Sequence, residues 1–149
     1  MYAFVDQPVE SLSNDGRFLL WAMRGWASAI ARGTCAPVAL WRGFAGVGAA
    51  AALPHFHTAM ALLNRDALHP IALAPMGCKA VCEDEAVLLG LWATLTTGDV
   101  DAVRATLALM APDHVVTPVV RAMTAAGAAL VLAGFGLSSL AKNVQRELK

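Results

Sequence analysis

The chain reads as an all-α protein, a single-domain bundle of five to six helices around a central buried helix. Three observations carry that reading. A polar, acidic start at Cys82-Glu-Asp-Glu85 runs into Leu88, Leu91, Trp92 and Leu95, which fall at i, i+3, i+4 and i+7 on one helical face. Helix start and stop signals recur at short intervals along the rest of the chain, and no strand signal is strong enough to assign. The length of 149 residues sits at the commonest size for one domain, so one domain over 1–149 is expected.

Val87 and Leu89 widen the apolar face of the central helix, about residues 83–97, until little of its circumference is left for water. Neighbours must therefore cover it on most sides. Before it, residues 1–13 form a polar, proline-containing lead whose Tyr2 and Phe4 can tuck onto the body. Ser13-Asn-Asp-Gly16 supplies caps for a first helix from about Asp15 to Arg32. Leu19, Ala22, Met23, Trp26 and Ile30 make its inner stripe, and Arg17, Arg24, Ser28 and Arg32 its outer side, with Trp21 projecting among the arginines.

Gly33 stops that helix, and Pro37 starts a second that runs to about Ala52 with Leu40, Phe44 and Val47 inward. Its glycines, Gly43, Gly46 and Gly48, are read as allowing close helix approach rather than as a phosphate loop, because no strand precedes them. A third helix, Pro54 to about Leu68, turns Phe56, Met60 and Leu63 to the core, and residues 69–77 cross the surface in extended form between prolines. After the central helix, Asp99 caps a helix with Val100, Val103, Leu107 and Met110 in a stripe. Ala111-Pro112-Asp113 breaks it. Thr117-Pro118 then opens a helix carrying Val119, Val120, Met123, Gly127 and Leu130 inward, ended by Gly134 and Gly136, and residues 138–149 form a last polar helix or a tail.

Composition excludes more than it identifies. Apolar residues make up 58% against a norm of roughly 45–50%, and charged residues 15% against roughly 25%. Such a chain must bury much of its surface in itself, in a partner or in lipid. With zero net charge and dispersed arginines it carries no nucleic-acid footprint. Three cysteines without a secretory signal point to reduced thiols and a cytoplasmic location. Residues 122–141 are uncharged and long enough to span a bilayer. Only Leu130, Val131, Leu132, Phe135, Leu137 and Leu140 among them are strongly apolar, which favours a small-residue helix packed in a bundle over membrane association.

The residues with chemistry gather between His55 and Glu85. His55, His57, Cys78 and Cys82 are the weak metal candidates, with His69, Asp84 and Glu85 nearby. On a helix His55 and His57 stand about 200° apart, so both cannot face one ion, and no metal ligand set is assigned. The cysteines read as unpaired and mostly buried. Glu83, Asp84 and Glu85 read as first-turn carboxylates that complement the helix dipole. Neither a catalytic residue nor a cofactor motif is recognised.

Gly16-Arg-Phe-Leu-Leu-Trp-Ala-Met-Arg24 and the stretch from Cys78 to Trp92 resemble segments of small, alanine-rich, uncharacterised bacterial helical proteins. That resemblance implies a helical fold and a bacterial context and no particular activity. Together these readings lead to the expectation of a non-enzymatic helical interaction or scaffold protein that self-associates, as a homodimer, with Trp21 and Trp41 as interface candidates. The alternatives are a metal- or small-ligand-binding bundle using Cys82 with a histidine, and a membrane-associated protein anchored by residues 122–141.

Overall fold

The structure, a computed structural model, describes residues 4–135. Six α-helices follow one another: α1 (Asn14–Ala31), α2 (Ala36–Gly46), α3 (Leu53–Asp66), α4 (Glu83–Thr96), α5 (Val100–Met110) and α6 (Asp113–Leu132). Two single 3-10 turns, Val9–Ser11 and Ala50–Ala52, precede α1 and α3. Among the described residues the only extended pairing is one antiparallel bridge, Pro8 to Ala80, so the all-α class holds.

Packing follows the short connections. α3 and α6 form the most extensive pair, α1 lies on α2, and α4 touches α1, α5 and α6. In α4, eight of fourteen residues are buried, from Glu85 to Ala93 with only Val87 partly open, so this helix is apolar all round and covered all round. The lead is tied down as well. Phe4 is fully buried, and backbone bonds from Asp6 to Val81 (2.9 Å), Val81 to Gln7 (2.9 Å) and Val9 to Lys79 (2.8 Å) stitch it to the segment before α4. Tyr2 and residues 136–149, with the last helix or tail and part of the 122–141 stretch, lie outside the described residues.

Several sequence expectations are corrected. Arg24, placed on the outer side of α1, is buried, because the segment 78–82 crosses that side; Ile30, placed inward, is exposed at the helix end. Trp21 does not project among arginines. Its ring lies over Gly43 of α2, where a Cβ would stand 2.1 Å from it, and meets Phe18 and Phe44 at tilted angles. Gly43 thus admits an indole, and Gly46 and Gly48 face open space rather than a helix backbone.

The second helix ends at Gly46 rather than Ala52. Gly48 (φ 76°) follows, with Gly48 N–H bonded to Ala45 and Ala49 N–H to Phe44, the paired bonds of a glycine C-terminal stop. Val47 is consequently exposed. The last described helix begins at Asp113, so only Ala111 and Pro112 separate it from α5, and Pro118 lies inside α6 instead of opening it. Val100, in the first turn of α5, is exposed, since the stripe reaches the core only at Val103 and Leu107. α6 is long and apolar enough to cross a membrane by length and composition; here its Val115, Val119, Met123, Ala126 and Leu130 are buried in the bundle.

Candidate functional site

Two features stand out from the helical background: a buried polar clamp between α1 and α4, and an apolar groove between α2 and α3.

The clamp is built on Arg24 and Glu85, the two buried charged residues among those described. Arg24 donates from Nε to Glu85 Oε2 (2.7 Å) and from Nη2 to Oε1 (2.9 Å), a bidentate pair. Its remaining donors reach the carbonyls of Cys78 (2.7 Å) and Ala80 (3.0 Å). Glu85 in turn accepts from the backbone N–H of Cys82 and of Ala74, both at 3.0 Å. Asp84 accepts from Ala72 N–H at 2.7 Å. Two carboxylates of the first turn of α4 and one arginine of α1 therefore hold the whole strap 72–82, and among the described residues no buried side-chain polar atom is left without a partner. Burial resists ionisation of Glu85, but the Arg24 guanidinium and the two N–H donors outweigh it and hold its carboxyl below the usual range. The hydrogen bonds that Arg24 donates to Glu85 keep its guanidinium firmly charged. Each nitrogen of Arg24 and each carboxylate oxygen of Glu85 is hydrogen-bonded inside the protein, so the clamp is a fastening.

The metal candidates do not converge on it. Cys78 is exposed on the strap, with its thiol toward the Ala80 carbonyl (3.4 Å). Cys82 is the N-cap residue of α4, its thiol toward the Ala72 carbonyl (3.5 Å), and burial pushes that thiol up, against thiolate formation. His55 is exposed on α3 and His69 on the strap approach. Among the described residues no group of three or more His, Cys, Asp or Glu is arranged to hold a metal ion.

His57 does something else. Its Nδ1 accepts a hydrogen bond from the indole N–H of buried Trp26 at 2.9 Å. An indole can only donate, so Nδ1 carries no proton and the neutral ring bears its proton on Nε2. His57 is also part of the groove wall. That groove, about 490 Å³, runs between Pro37, Val38 and Trp41 of α2 and Leu53, Pro54, His57 and Thr58 of α3. Val38 (73% exposed) and Trp41 (53% exposed) form its outer lip one turn apart. No charged side chain lines it, and neither helix has an acidic residue in its first turn. Of the two interface candidates, Trp41 stands at an open apolar site and Trp21 is half-buried against Gly43. The role of His57 beside Trp41 was not legible beforehand, because the pair is assembled from two helices whose facing is not written in either one.

No family model, no curated protein and no solved structure matches this chain.

Proposed function

We propose that this chain is a non-enzymatic helical interaction protein that self-associates as a homodimer through the lip of the groove between α2 and α3. The observation that carries the proposal is Trp41, half out of the protein beside Val38 at the edge of a groove whose lining residues carry no charged side chain. In a two-fold dimer a patch meets itself, so charges on it would oppose their own copies; an uncharged lip avoids that cost. A large, rigid side chain such as tryptophan is also the type that dominates interface energetics. The described residues supply no spare polar constellation that favours catalysis, since the one buried cluster is consumed in fastening the strap.

A reducing, cytoplasmic setting belongs to the same proposal, supported by three unpaired cysteines of which Cys35 and Cys78 are exposed. Kinship with small alanine-rich bacterial helical proteins belongs to it too. Its support is that the two resembling segments, 16–24 and 78–92, contain the two halves of the Arg24–Glu85 clamp. Sedimentation equilibrium of the native chain and of Trp41→Arg tests the main reading: the native protein is expected at twice 15.6 kDa and the variant at 15.6 kDa. Equal masses for both would sink it.

A further inference from the structure

We propose that the floor of the same groove is a binding site for an apolar monocarboxylate, a molecule with an aliphatic or aromatic body and one carboxylate. The volume of about 490 Å³ falls within the range of small-molecule sites, and Pro37, Val38, Trp41 and Pro54 give it apolar walls. The polar groups in those walls select the ligand's head. His57 is held by Trp26 in the tautomer whose Nε2–H is a donor, and that nitrogen has no partner among the described residues. On the facing helix the Trp41 indole N–H is likewise a donor with no partner among them. Thr58 already spends its hydroxyl proton on the Pro54 carbonyl at 2.9 Å.

The residues of both walls thus carry unpartnered donors, and none of them carries a carboxylate to repel an anion. A carboxylate accepts and does not donate, which matches this set. An extended peptide brings an N–H at every residue, and toward these walls most of those would face carbon. A cationic amphiphile brings donors or bare positive charge to donors. Ordering by Trp26 matters because a fixed tautomer presents its proton without first losing freedom. The site does not depend on self-association; a second copy resting on Val38 and Trp41 would roof it.

Decanoate titrated into the full chain tests the site, with decanol and decyltrimethylammonium as chain-matched controls. Calorimetry reads affinity, NMR reads the indole N–H signals of Trp26 and Trp41, and native mass spectrometry reads the mass of the same samples. Decanoate is expected to bind about tenfold tighter than decanol, the combined effect of the two donors on a charged head, and to shift both indole signals. His57→Phe should weaken decanoate severalfold and leave decanol unchanged. Should that variant unfold, Trp41→Phe, which keeps the ring wall and loses the N–H, is expected to weaken decanoate severalfold and leave decanol unchanged. Equal affinity for all three amphiphiles would make the groove a greasy surface and overturn the proposal. So would no binding at millimolar decanoate, which would leave the groove to a second copy. Because mass is read separately, a monomer that binds decanoate keeps this site while removing the dimer, and a dimer that ignores decanoate does the reverse.

Discussion

Arg24 and Glu85 are 61 residues apart in sequence and share two hydrogen bonds. A buried ion pair often adds little over an apolar pair of the same shape, because desolvation cancels attraction. Here the pair also satisfies two carbonyls and two N–H groups of the strap, so apolar replacement takes a partner from four backbone groups, of which the Ala80 carbonyl keeps the Cys78 thiol. Arg24→Met is expected to cost about 3–5 kcal/mol in urea unfolding, and the double variant Arg24→Met with Glu85→Leu to remain destabilised rather than recover. Acid supplies a second test. Since the native carboxyl of Glu85 lies below its ordinary value of 4.5, the unfolded chain binds more protons there. Stability should fall as pH drops below about 4.5 and through the lower native value, and Glu85→Gln should flatten that slope in a pH series of urea midpoints. Glu85 was legible as a first-turn carboxylate, but Arg24 was not legible as buried: helical periodicity assigns an arginine to water, and nothing local announces a strap that will cover it. Gly43 is the reverse case, a residue whose smallness was visible and whose neighbour was not. Gly43→Ala must displace the Trp21 ring, an overpacking worth about 1–3 kcal/mol by thermal or chemical unfolding.

At the level of elements, existence was easier to read than ends. All six helices carry their apolar stripe in the sequence, and the central helix was recognisable because Leu88 to Trp92 leave it no polar face. The ends depended on single residues. Gly33, Gly48, Gly98 and Gly134 all adopt positive φ just past helices, yet in the glycine-rich run from 43 to 48 the sequence does not say which one makes the stop. The backbone does: Gly48→Ala forces an L side chain into the left-handed region and is expected to cost about 1–2 kcal/mol. Gly46→Ala, in α2 with open space around it, should be neutral or gain up to about 1 kcal/mol. Paired melting curves check the contrast, and equal effects would mean that the stop lies elsewhere. The start of α6 was misplaced because proline is ordinarily a first-turn residue, whereas Pro118 sits in the second turn and Asp113 supplies the acidic start.

The whole molecule explains part of its own apolar excess. The core takes in residues from the lead to α6, yet Val38, Trp41, Leu68, Leu109, Val131 and Leu132 remain more than half exposed. Composition foretold that surplus and could not say where it would surface, since exposure is decided by which helices pair. α6 gave the ambiguous signal of an apolar stretch: it is long and apolar enough to cross a membrane, and 44% of that window is buried in the bundle. The proposed state, two copies joined at the α2 lip, is open to direct mapping. With a benzophenone side chain in place of Val38, irradiation should join two chains, and the adduct should map to residues 37–58 of the second copy. Adducts on α5 or α6, or none at concentrations where the protein is dimeric, would contradict the proposed interface.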